Sequence, residues 1–104
     1  MPNRYSIVGM SYRLKDGFDA YGFMKDLPVG TIATLVREPN NAHDPNAVKV
    51  VIEGQHVGYV PKSHNKVLAQ FIDAHGVMAM DEAVKTLKGI FVRSPNSGYP
   101  MVEV

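Results

Sequence analysis

Along the chain, Ala47 to Ile52 is the clearest strand, a β-branched apolar run that places Val48, Val50 and Ile52 on one face. Glu53-Gly54-Gln55 turns the chain into a second run, His56 to Val60, so the two predict a hairpin. Thr31 to Arg37 is a β-branched run entered from the Pro28-Val29-Gly30 turn, and Pro39 ends it by driving Glu38 out of helical geometry. Tyr5 to Tyr12 reads as an opening strand closed by Asp16-Gly17. Val84 to Val92 reads as a strand interrupted at Gly89, and Tyr99 to Val104 as a closing one.

One segment carries the helical period instead. Ser63 is placed to cap a helix running to about His75, with Gly76 as its stop. Val67, Leu68, Phe71 and Ile72 supply its apolar stripe, while Lys66, Gln70 and Asp73 face away. The stretch Phe18 to Leu27 stays open between helix and loop, because Phe18, Tyr21 and Met24 share a helical face but Gly22 weakens a helix. Five or six short strands with one good helix predict a mainly β fold, a small, strongly bent sheet or partly closed barrel. No linker or repeat divides the 104 residues, so residues 1–104 read as a single domain.

A chain of this size buries about 60–70% of its unfolded surface, which favours shallow grooves over a deep catalytic cavity. The absence of cysteine excludes disulfides and thiol chemistry and is compatible with a reducing cytosol. No apolar run approaches the ~18 residues of a membrane span, and no signal pattern opens the chain, so a cytoplasmic protein without membrane contact is expected. The net charge of +1 provides no broad basic field. Any nucleic-acid contact therefore has to be local and chemically specific.

The chemistry concentrates in Arg37-Glu38-Pro39-Asn40-Asn41-Ala42-His43-Asp44-Pro45-Asn46, a polar loop too long for a plain hairpin connection. Asp44-Pro45-Asn46 has two readings: a type I turn whose carboxylate bonds backbone N–H groups, or an acceptor for a ligand hydroxyl. Asn40-Asn41 similarly suits left-handed backbone. Catalysis finds no footing, since Glu38 and Asp44 are not placed as an acid/base pair and no nucleophile elbow exists. Dispersed glycines give neither a P-loop nor a dinucleotide fingerprint, so no cofactor is expected. Nor do His43, His56, His64 and His75 show zinc-ligand spacing. Tyr59, beside Gly58, has a claim to exposure because the glycine leaves room for a close approach by another molecule. Tyr12, His43, Tyr59 and Lys62 together supply flat rings and positive charge, a combination suited to single-stranded nucleic acid.

Arg37-Glu38-Pro39-Asn40-Asn41, Asp44-Pro45-Asn46-Ala47-Val48-Lys49-Val50 and Val57-Gly58-Tyr59-Val60-Pro61-Lys62 closely resemble the HIRAN domain, with Ile7-Val8-Gly9 similar to that family's opening strand. His64-Asn65-Lys66-Val67-Leu68-Ala69 is similar to prokaryotic, stand-alone members. The resemblance implies a small OB-like β-barrel of about six strands with one or two helices. It further implies a non-catalytic module that recognises the 3′ end of single-stranded DNA in repair or at stalled forks, in the cytoplasm and associated with the nucleoid. Carried over by position, Asp44 would accept a hydrogen bond from the terminal 3′-OH. Tyr12 and His43 would stack on the last bases, Lys62 would hold a phosphate, and Tyr59 and Asn41 would line the groove. A separate helicase or repair protein would exploit the bound end. Ser11 stands where fork-remodelling members carry an arginine, His43 replaces a tyrosine, and Arg93 falls near a position where they place an aromatic. The competing reading is a protein–protein adaptor using the barrel groove.

Overall fold

The computed structural model describes residues 3–11, 16–79 and 84–104. Strands β1 (Arg4–Ser6), β2 (Ile32–Arg37), β3 (Val48–Ile52), β4 (Gln55–Tyr59), β5 (Val77–Met78), β6 (Lys85–Arg93) and β7 (Pro100–Glu103) join helices α1 (Ala20–Lys25) and α2 (Asn65–His75). The strands form one antiparallel sheet in the order β1-β7-β6-β2-β3-β4, with β5 added to β6. Mainly β architecture with two helices is thus what the chain adopts.

The sheet curls until its two edges meet. Just past β1, Ile7 N–H donates to Pro100 O on the β7 side, and Val8 exchanges two backbone hydrogen bonds with Tyr59 of β4, at 2.9 and 2.8 Å. A bulge in the β3–β4 pairing, with Val50 opposite Gly58 and Val51 opposite His56, adds the twist that this closure needs. Gly58 permits it: a Cβ there would sit 2.5 Å from Val8 O and 2.7 Å from Ile7 Cγ2. At the chain's two extremities, Asn3 and Val104 also exchange backbone hydrogen bonds, at 3.0 and 2.9 Å.

The β3–β4 hairpin keeps the face read from the sequence. Val48, Val50 and Ile52 are fully buried, and a one-residue slip would turn all three to solvent at roughly 1.5–3 kcal/mol each. Its turn is the two-residue mirror-image type, with φ of 51° at Glu53 and 78° at Gly54. Phe91, Ile7, Met24, Leu35, Ile72 and Val102 complete the core.

Other expectations are corrected. The opening strand is only Arg4–Ser6, because the chain leaves β7 to make the Val8 bridge and then turns at Met10 and Ser11; Tyr12 lies outside the described residues. Gly89 does not interrupt β6, which runs unbroken for nine residues. It lies where β7 crosses closely, since a Cβ would meet Glu103 O at 2.5 Å. Phe18 to Leu27 resolves into a six-residue helix capped by Asp19, whose carboxylate accepts from Gly22 N at 3.0 Å. Ala20 and Met24 are buried there and Tyr21 is exposed.

On α2 the inward stripe is Asn65, Leu68, Ala69 and Ile72, whereas Val67 and Phe71 are 75% and 46% exposed. The four apolar residues read as one stripe straddle two adjacent faces. Ser63 does not cap this helix. The cap position belongs to His64, which makes no side-chain cap bond, and Ser63 Oγ instead bonds His64 Nδ1 at 2.8 Å. Gly76 ends α2 as read, its N–H donating to Ile72 O.

Gly58→Ala should lower stability by about 1–3 kcal/mol, the range for overpacking a close contact. Urea unfolding and amide exchange at Val8 and Tyr59 check this; an unchanged midpoint with both amides still protected would show that closure tolerates a methyl group.

Candidate functional site

The 38–47 loop leaves β2 and returns as β3, and its shape is set by side chains bonding its own backbone. Glu38 N–H donates to Ala47 O at 3.1 Å across the neck. Asn41 acts as an internal staple: its Oδ1 accepts from His43 N at 2.9 Å and Asp44 N at 3.1 Å, and its Nδ2 donates to Glu38 Oε1 at 3.1 Å. Asp44 is both a turn former and a presented group. Its Oδ1 accepts from Asn46 N at 2.9 Å and its carbonyl from Ala47 N at 3.0 Å, as a proline-containing turn requires. Its Oδ2 accepts from Asn65 Nδ2 at 2.7 Å.

Two residues that the sequence reading left without a role hold this loop against the body. Arg37 is 5% exposed. Its guanidinium donates to Ala47 O at 2.9 Å, to Pro45 O at 3.1 Å and to Asp73 of α2 at 2.9 Å. Asn65, equally buried, pins Asp44 from the first turn of α2. The available signal was position: a polar residue leading an inward stripe, with Leu68, Ala69 and Ile72 behind it, has to be hydrogen-bonded.

Asn41, His43, Asp44, Tyr59 and Lys62 come together around one pocket of about 340 Å³, walled on the far side by Val8 and Gly9 and floored by Asn65. Asn41 and Tyr59 form its ridge, beyond which lies a second groove of about 540 Å³ lined by Glu38, Pro39, Asn40 and Lys49. The Tyr59 ring is half-buried and braced edge-on by His56, with ring centroids 4.9 Å apart. The reason for its placement differs from the one expected, because the space beside Gly58 is filled by the Val8 backbone and not open to a ligand. His43 and Lys62 are exposed at the rim.

Asp44 is held below the usual carboxylate range. The Asn65 amide contributes most and the Asn46 N–H next; partial desolvation opposes them, and Lys62 and Arg37 add a favourable positive field. The pocket therefore offers an ionised acceptor between two ring systems and beside a cation. Ser11 lies elsewhere, in a depression with Met10, Asp19 and Tyr21. Arg93 is a brace, donating to the Met24, Lys25 and Leu27 carbonyls at the end of α1. Among the described residues no group of three or more His, Asp or Glu could hold a metal ion, and no helix is long and apolar enough to cross a membrane.

Arg37→Ala should cost about 1–3 kcal/mol, chiefly through the Pro45 carbonyl that loses its donor and the second bond lost at Ala47 O, since Asp73 is half exposed and its ion pair is screened. Arg37→Lys should recover little, because one ammonium cannot reproduce the fork. Denaturant midpoints of the two variants check the ranking.

Residues 3–99 match the HIRAN domain family model. A 54-residue stretch is 44% identical to the Fanconi-associated nuclease 1 homolog of Oryza sativa subsp. japonica, covering 48% of this chain and 6% of that protein. The chain thus corresponds to a small part of that curated relative. Among solved structures, a protein from Lactobacillus plantarum superposes with a TM-score of 0.69 at 25% identity, covering 97% of this chain and 87% of that one. The HIRAN domain of human HLTF superposes at 0.63 and 23% identity, covering 98% and 71%. With the family model spanning nearly the whole sequence and a HIRAN domain sharing its fold, this chain belongs to the HIRAN domain family of DNA-binding domains.

Proposed function

We propose that this protein is a non-catalytic reader of single-stranded DNA 3′ ends, acting in repair or stalled-fork processing through a separate helicase or repair enzyme. The observation that carries the reading is Asp44, an acceptor kept ionised by two internal donors yet facing a pocket that His43, Tyr59 and Lys62 surround. A terminal hydroxyl donates to Asp44, the rings take the faces of the last bases, and Lys62 meets a backbone phosphate. Tyr12 joins as the second stacking ring by its place in the motif. Asn41 shapes the groove while its amide stays engaged within the loop. Likeness to part of a nuclease homolog is consistent with a module that delivers other activities to DNA. One domain over residues 1–104 in the cytoplasm, close to the nucleoid, fits this role.

Fluorescence anisotropy with strands differing only at the 3′ terminus tests the reading. Asp44→Ala should weaken binding of the 3′-OH strand roughly ten- to a hundredfold, the span for a hydrogen bond to an ionised group, and should not weaken the 3′-phosphate strand, whose charge Asp44 opposes. Equal losses on both strands would remove hydroxyl recognition.

The pH dependence has a definite sign. A carboxyl group with a depressed pKa keeps its acceptor role above that value and loses it only as pH falls through it. The preference for a 3′-OH over a 3′-hydrogen terminus, neither of which titrates here, should therefore stay level from about pH 8 down to about pH 5, below the range where an ordinary histidine titrates. A preference lost near neutrality would place recognition on a histidine instead of Asp44.

Salt separates this from the adaptor reading, which is favoured by a second, mostly apolar groove of about 340 Å³ where Val67 and Phe71 meet Tyr5, Leu87 and Val104. DNA affinity should fall steeply with ionic strength, and Lys62→Ala should reduce the log–log slope by about 0.7 for the one phosphate contact removed. A partner held equally well at low and high salt would favour the adaptor.

A further inference from the structure

Asp44 meets the pocket with both carboxylate oxygens already accepting one hydrogen bond each from within the protein, Oδ1 from Asn46 N and Oδ2 from Asn65 Nδ2. Each oxygen has one further lone-pair direction, and both internal donors favour the ionised form that accepts most strongly. The Asn65 amide is the more telling of the two. It is 3% exposed on the inward face of α2, in line with Leu68, Ala69 and Ile72, where a leucine or alanine would serve packing without needing a partner. Only its NH2 group can face an ionised carboxylate, so the acceptor character of Asp44 and the orientation of Asn65 fix each other.

We infer that Asn65 is the positioning residue that holds Asp44 as an acceptor-only carboxylate, so that the pocket takes strand ends carrying a hydrogen-bond donor, an amine as well as a hydroxyl. The inference rests on the end-reading role of the Asp44 pocket and adds what selects the end. A terminal phosphate meets a fixed negative charge with no donor to offer it, and a terminus lacking the hydroxyl leaves Asp44 desolvated and unanswered. The charged and titratable groups around Asp44 are Lys62 ahead of α2, Arg37 from β2 and His43 from the loop. Lys62 and Arg37 act on Asp44 through their field, while the bond that aims the carboxylate comes from Asn65.

The test uses one labelled single strand with four 3′ termini, hydroxyl, amine, hydrogen and phosphate, measured by anisotropy on the wild type, Asn65→Ala and Asn65→Asp. In the wild type the hydroxyl and amine ends should each bind roughly tenfold or more tighter than the 3′-hydrogen end. In Asn65→Ala that ratio should collapse toward unity with affinity for the 3′-hydrogen strand retained. Asn65→Asp conserves volume and guards against a folding defect in the alanine variant. Its two adjacent carboxyl groups should share a proton, so the hydroxyl preference should return at about pH 5.5 and be missing at about pH 8. The wild type measured at each pH is the reference for both variants. A full hydroxyl preference at the higher pH in either variant, or an equal loss for all four termini, would overturn the assignment of Asn65 while end reading stands. A wild type that does not distinguish hydroxyl from hydrogen would overturn both.

Discussion

A buried guanidinium ties together three parts of this molecule that the chain keeps apart. Arg37 closes β2, but its side chain runs beneath the following loop, holding the carbonyls of Pro45 and Ala47 and reaching the carboxylate of Asp73 on α2. A charge this deeply placed is tolerated only because each edge of its fork finds an acceptor. The requirement runs both ways, since the Pro45 carbonyl takes its donor from Arg37 and the Ala47 carbonyl its second one beside Glu38 N–H. The loop is consequently long without being slack, and the Asp44 pocket inherits the rigidity of the β2–α2 packing.

That arrangement shows Asp44 as the turn former of the first reading, and the turn does not use up its carboxylate. The carboxylate forms the turn with one oxygen and is aimed across the pocket through the other. Turn formation fixes the backbone, and a buried amide fixes the rotamer. With a net charge of +1 the protein has no broad basic field, so the character of this pocket lies in one placed acceptor with rings and a cation lining the same space.

What was legible in the sequence was whatever depends on near neighbours. The β3–β4 hairpin, the β2 run and the stop of α2 at Gly76 follow from local periodicity and turn chemistry, and the loop motif pointed to the residues that gather around one pocket. Long-range partners were not legible. Gly58 was read as leaving room for a visitor, whereas Val8, fifty residues earlier, occupies the space. Asn65 was passed over because its partner lies twenty-one residues away. Val67 and Phe71 were drawn into the core stripe because apolar character alone does not reveal which of two adjoining helix faces meets the sheet.

Asn3 and Val104 pair across a single ladder step, so the chain enters and leaves this fold at nearly the same point. Such a unit can interrupt a host polypeptide at one surface loop, with the flanking host residues staying almost as close as before. The geometry suits a module that can be carried whole within a larger chain. Adding it to a host means splicing in a fold whose sheet already closes on itself, with no need to rebuild the architecture that receives it.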